Sequence, residues 1–136
     1  MRLSPVLRLT GKGIGKGLVF AAFLALAAAL TAETRPAAEQ AKIDWLLAEI
    51  QRSKAIFIRN GKEYEASTAI SHLRRKLGFA GGRVHTARDF ILAVASRSER
   101  SGRPYEIRLP DGRREELRPW LLARLAEHEG RQRTRD

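Results

Sequence analysis

No cysteine occurs among the 136 residues, which excludes a disulfide framework, thiolate zinc sites, iron–sulfur clusters and a cysteine nucleophile. Histidine is scarce as well. His72, His85 and His128 stand alone, with no pair at the i, i+3 or i, i+4 spacing that places two ligands on one helix face, and no His-Glu-x-x-His run. Neither a metal site nor a cofactor is therefore expected. Ser96, Ser98 and Ser101 lack the Gly-x-Ser-x-Gly setting of a nucleophile elbow. Ser71 and His72 are chain neighbours, which on a helix diverge by about 100° and form no dyad. The carboxylate pairs Glu63/Glu65 and Glu115/Glu116 sit among basic residues, with no apolar pocket implied that would raise one pKa for glycosidase-type chemistry. Gly11 to Gly17 superficially resembles a phosphate loop, but it opens no strand–helix unit and lies in a segment read below as removable.

What is present is a globular composition, 43% apolar and 30% charged, with a formal charge of +11. One domain is expected at this length. The first 32 residues differ in kind from the rest. Arg2, Arg8, Lys12 and Lys16 precede 13 apolar residues, Leu18 to Leu30, and then Thr31-Ala32. That is the order of a secretory signal peptide. The apolar run is short of the roughly 20 residues that span a bilayer, so a retained anchor is the weaker alternative and no transmembrane segment is expected after cleavage. No Arg-Arg pair precedes the run, and no cysteine follows it to take a lipid. The expectation is export through a cleaved Sec-type signal to the periplasm or medium. Cleavage after Ala32 removes four positive charges and no negative ones, leaving 104 residues at +7. These divide into a domain at 33–129 and a basic tail at 130–136 expected to be disordered.

The domain reads as two passes of one pattern. Pro36 to Lys54 is a helix, with Ile43, Leu46, Leu47 and Ile50 on one stripe and Trp45 off it, marking a second, narrower contact face. Ala55 to Arg59 is a β-rich run ending at Asn60-Gly61, a strong hairpin signal. With those two as the central turn residues, Arg59 pairs with Lys62 and Phe57 with Tyr64. Ser67 is the expected cap of a second helix, with Ala66, Ile70, Leu73 and Leu77 inward and Gly78 as its stop.

The second pass opens at Thr86, which forms a capping box with Asp89 and leads a helix burying Ala87, Phe90, Ile91 and Val94. Ser96 to Arg103 is a loop. Tyr105, Ile107 and Leu109 alternate as a strand, Pro110-Asp111-Gly112 turns, and Arg113 to Glu116 returns. Pro119 suits the first position of a last helix, with Trp120, Leu121, Leu122 and Leu125 available to the core. The class is α+β: four helices on small antiparallel hairpins, in the order α-β-β-α-α-β-β-α. Whether the hairpins join into one sheet is open at this stage.

One surface stands out. Glu65, Ala69, His72 and Lys76 line a stripe of the second helix, and His72 and Lys76, four apart, can address one small acidic group. The linker from Tyr64 to Ser67 is short, so the hairpin residues Arg59, Asn60 and Tyr64 are expected near them. These five form the candidate ligand site, with cationic, amide and phenolic groups suited to an anion. The leading expectation is a non-enzymatic binding module for an anionic partner such as a head group, a cell-wall polymer or an acidic protein. A small envelope hydrolase or transferase using His72 as acid/base is the rival, with Lys76 or Arg59 as anion clamp. Nucleic acid, the usual partner of a basic domain, comes third, because export argues against it and the basic residues are scattered.

Phe57-Ile58-Arg59-Asn60-Gly61 with Tyr64, then Ser71-His72-Leu73-Arg74 with Lys76-Leu77-Gly78, resembles the YfeK-like family of small exported proteobacterial proteins. Thr86-Ala87 with Phe90-Ile91, then Ser96, Ser98, Ser101-Gly102 and Pro104-Tyr105, is similar to that family's second half. The resemblance covers roughly Ile43 to Leu125. This chain departs from the pattern where Arg97, Glu99 and Arg100 interrupt the serine loop. The resemblance implies an envelope location and similar domain limits, and it implies no activity.

Overall fold

The computed structural model describes residues 34–136, so the expected signal peptide at 1–32 lies outside the described residues. Pro36 is the N-cap of the first helix, α1 (Ala37–Ser53), and Lys54 ends it in the left-handed conformation at φ 54°. Ile43, Leu46, Leu47 and Ile50 are its buried residues, the stripe that the 3.6-residue period dictates. A hairpin follows, β1 (Ile56–Arg59) and β2 (Lys62–Tyr64). Its register pairs Arg59 with Lys62 and Phe57 with Tyr64. Asn60 and Gly61 take φ values of 52° and 77°, the positive pair that a type I′ turn requires and that these two residues accept most readily.

The second helix, α2 (Ala66–Ala80), departs from expectation at both ends. Ser67 is not its cap. Glu65 holds the N-cap position without a side-chain bond, and the helix starts directly after the hairpin because Ala66 is drawn into the core. Gly78 is not its stop either. Gly81 is, at φ 52°, and the extra turn lets Ala80 pack on the core. The Thr86 box forms as read, with Thr86 Oγ1 accepting from the Asp89 amide at 3.0 Å and Asp89 Oδ2 accepting from the Thr86 amide at 3.0 Å. The helix it starts, α3 (Ala87–Asp89), changes pitch into a π-helical stretch, Phe90–Val94. Ala95 N–H reaches Phe90 O at 3.1 Å, and the buried Ser96 hydroxyl donates to Ile91 O at 2.7 Å. A π turn of this kind is uncommon outside functional or re-aimed segments.

β3 (Glu106–Arg108) and β4 (Arg114–Glu116) make the second hairpin, and α4 (Leu117–Arg133) closes the domain. Pro119 falls third in α4, not first. Leu117 starts the helix because it is fully buried and its N–H donates to Tyr105 O at 2.8 Å. Proline is still tolerated there, since the first amides of a helix have no partner within it. The helix continues through Arg133, into the stretch read from sequence as a tail. Trp45 explains the extension. Its ring stacks on His128 at 4.1 Å, with Arg52 and Arg131 each 5.8 Å from it, and Lys42 reaches Glu129 at 3.5 Å.

The two hairpins join. All strands are antiparallel in one four-stranded sheet of order β2-β1-β3-β4, with β1 and β3 central. Phe57 and Ile107 are paired in register and face the helices. Ile58 is also buried but lies outside the main core, on the opposite face, between Glu63 and Glu106 in register. There Arg108 pairs with Glu63, and Arg114 with Glu106 at 2.8 Å. Long charged side chains on such a face cover apolar surface with their stems while the charges stay in water. Short charged edges on β2 and β4 discourage further strand pairing.

Candidate functional site

The centre of the site is a residue that the sequence reading placed only as strand core. Tyr105 precedes β3 and points inward, packing on Phe57 with ring centroids 5.1 Å apart. A buried phenol needs a partner for its hydroxyl, and α2 supplies two. His72 Nε2 lies 3.1 Å from the Tyr105 oxygen and Lys76 Nζ 3.1 Å from it. An ammonium only donates, so Lys76 donates to the phenol oxygen. The phenol's own proton then goes to Nε2, which leaves the imidazole proton on Nδ1. Lys76 also donates to Arg97 O at 3.1 Å, sits 5.0 Å from the Tyr105 ring centre, and has Glu99 at 3.9 Å.

Burial is the leading cause of the shift at each of these three groups. His72 is held below the usual imidazole range, first by burial and then by the charges of Arg59, Lys76 and Arg75. Burial lowers Lys76, with Glu99 opposing it and Arg59 adding to it. Burial raises Tyr105. The directions for His72 and Tyr105 favour a neutral imidazole facing a protonated phenol at neutral pH. With Nε2 engaged by Tyr105, His72 is oriented and satisfied from one side.

On the other side of His72 a cleft of about 200 Å³ opens between β1–β2 and α2. Phe57 and Ala69 form its apolar floor, and Arg59, Tyr64, Thr68, His72 and Arg75 its polar walls. No acidic residue lines it. Arg59 lines the cleft, and its Nε is buried without a hydrogen-bond partner, an arrangement that costs stability unless something else satisfies the group.

The five residues expected at the site are thus brought together unequally. Arg59, Tyr64 and His72 share the cleft. Lys76 joins through Tyr105. Asn60 is turned to the serine loop, where its Oδ1 accepts from the Ser101 hydroxyl at 2.5 Å and its Nδ2 donates to Ser98 Oγ at 3.4 Å. His72 finds its partner in Tyr105, so it does not spend that bond on Tyr64. The loop is itself pinned: Ser98 is buried, its amide donates to Arg103 O at 2.9 Å, and Arg97 bridges to Pro104. Sequence reasoning missed Tyr105, Thr68 and Arg75 as neighbours of the site. The strict alternation at Tyr105, Ile107 and Leu109 was the available signal, since an inward tyrosine must find a polar partner. Among the described residues no cluster of His, Asp or Glu could hold a metal ion, and no helix is long and apolar enough to cross a membrane.

An α+β domain with four helices on this sheet is matched, over residues 37–129, by a family of unknown function, DUF5329. The chain belongs to that family. It is also 43% identical over 68 residues to the "Uncharacterized protein YfeK" of Salmonella typhimurium, a stretch covering 49% of this chain and 57% of that relative. The match thus spans little more than half of the relative's length. No solved structure matches the chain.

Proposed function

We propose that the domain is a non-enzymatic binding module of the bacterial cell envelope whose cleft beside His72 holds a small anionic group. The observation that carries this reading is Arg59. Its side chain lines a cleft that contains a second guanidinium, Arg75, and no acid, and its Nε–H is buried without a partner. A phosphate or carboxylate oxygen supplies the acceptor that the protein omits, and charge-assisted bonds of this kind are about twice as strong as neutral ones. Tyr64 and Thr68 add hydroxyls, and the floor of Phe57 and Ala69 excludes water from one side. The envelope setting rests on the order of charged, apolar and small residues in the first 32 positions.

The test is a calorimetric titration of the full chain with inorganic phosphate and with acetate at low salt. Arg59→Gln should lower the affinity at least about tenfold, as loss of a charge-assisted pair implies. Arg108→Gln, which removes a cation already paired with Glu63, should leave it within about twofold. Equal effects of the two substitutions would contradict the reading.

A further inference from the structure

The far end of α2 carries a feature that the cleft does not use. Phe79 is 81% exposed, although it is a large aromatic side chain on a well-packed helix. The backbone around it is bare: Gly78, Gly81 and Gly82 have nothing within 4 Å of where a Cβ would stand. Phe79 therefore projects from a tip whose flanking glycines carry no side chains.

Cations flank the tip on both sides. One groove, of about 400 Å³, runs past Phe79 and Ala80 and includes Lys76 and Arg83. A second, of about 380 Å³, lies along Leu77, Gly78 and Gly81 with Arg35 and Arg74. Two acids answer them, Glu99 near Lys76 at 3.9 Å and Asp44 on Arg74 at 3.2 Å, while Arg35 donates from Nε to Val84 O at 2.9 Å and from its guanidinium to Gln40 Oε1. Arg83, in the 3-10 turn that follows α2, donates from Nε to Ala80 O at 3.4 Å, a long hydrogen bond.

From this arrangement we infer that the α2 tip docks on an anionic lipid surface, with Phe79 entering the head-group boundary and Arg83, Arg74 and Arg35 over the phosphates. A protein interface concentrates several apolar anchors in a packed patch, whereas one exposed aromatic on a cation-flanked tip suits a soft, negatively charged plane. A second copy of the chain is disfavoured by the positive charge that each copy would bring.

The experiment uses the full chain with vesicles of phosphatidylcholine alone or of phosphatidylcholine and phosphatidylglycerol at three to one. Because residues 1–32 add their own apolar run, a local reporter is needed, and Phe79→Trp supplies it. Its added fluorescence should be quenched by brominated lipid in the anionic vesicles and released by high salt. Phe79→Ser should keep the native melting temperature and lower partitioning into anionic vesicles about fivefold or more, the apolar contribution of one ring. Arg83→Glu should weaken partitioning in the anionic vesicles and not in the neutral ones. Added fluorescence untouched by brominated lipid overturns the inference and leaves the tip to a protein partner or to solvent. Neither Phe79 nor Arg83 lines the cleft, so this failure is separable from failure of the anion site.

Discussion

The two hairpins belong to one sheet, yet they are used differently. The turn at Asn60-Gly61 is tied to another part of the chain, because Asn60 bonds to Ser98 and Ser101 of the serine loop. The strands leading to it carry the cleft's Arg59 and Tyr64. The turn at Pro110-Asp111-Gly112 is, among the described residues, tied within its own hairpin, with Asp111 accepting from the Arg113 amide at 3.0 Å and from its guanidinium at 2.7 Å. Both turns solve the same backbone problem with a glycine at positive φ, 77° at Gly61 and 88° at Gly112. The difference teaches that turn chemistry makes a hairpin, and that long-range polar ties decide which hairpin belongs to a site.

The largest expected effect breaks that comparison at its backbone. Gly61→Val should destabilise the domain by about 2 kcal/mol or more, because a β-branched residue is forced into the left-handed region. It should also untie the Asn60 bonds. Gly112→Val meets the same strain in a turn free to adjust, and should cost less. Thermal melts of the two variants check this, and an unchanged melting temperature for Gly61→Val would remove the type I′ turn from the account.

Next is Tyr105→Phe, which deletes one oxygen and strands two partners, His72 Nε2 and Lys76 Nζ. The expected cost is about 1–2 kcal/mol by chemical denaturation, moderated because Lys76 keeps its bond to Arg97 O. Phosphate affinity should change little, since the cleft lies on the other side of His72. A large loss of affinity with no loss of stability would invert the assignment of Tyr105 as support and the cleft as site.

The smallest effect is in pH. His72 is held below its unfolded pKa of about 6.5, so the unfolded state takes up the proton first. Its contribution is therefore fully present above about pH 6.5 and is lost as the pH falls toward the folded value. His128 is lowered as well, by burial and then by Arg131 and Lys42, and acts in the same direction. Melting temperatures should fall between pH 7.5 and 5, and the fall should be shallower in His72→Gln. A curve as steep as the parent's would show that His72 is not held neutral by burial and its neighbouring cations.

Much of this architecture is legible in the residues, and what is not has physical reasons. Periodicity marks the buried stripe of α1, Asn60-Gly61 sets the register of the first hairpin, and Thr86 with Asp89 marks the start of α3. Helix ends are harder, because three nearby glycines, Gly78, Gly81 and Gly82, compete to be the stop and burial of Ala80 decides among them. The reach of α4 depends on Trp45 stacking on His128, a contact across 83 positions of the chain that no local pattern contains. The site was half legible. Helical spacing placed His72 and Lys76 on one stripe, and hairpin geometry brought Arg59 and Tyr64 close. The pairing of β1 with β3, which delivers Tyr105 between His72 and Lys76, is a choice of sheet order that pattern alone leaves open.

The central claim is that Arg59 keeps a buried donor free for an anion, and its side-chain Nε–H resonance reports this directly. Nitrogen-15 spectra of the full chain should be recorded through a titration with inorganic phosphate, with Arg108 and Arg114, each already paired with a glutamate, as internal references. The account predicts that the Arg59 Nε–H signal moves saturably while those of Arg108 and Arg114 hold nearly still. An Arg59 signal that moves no more than the two paired arginines would contradict it.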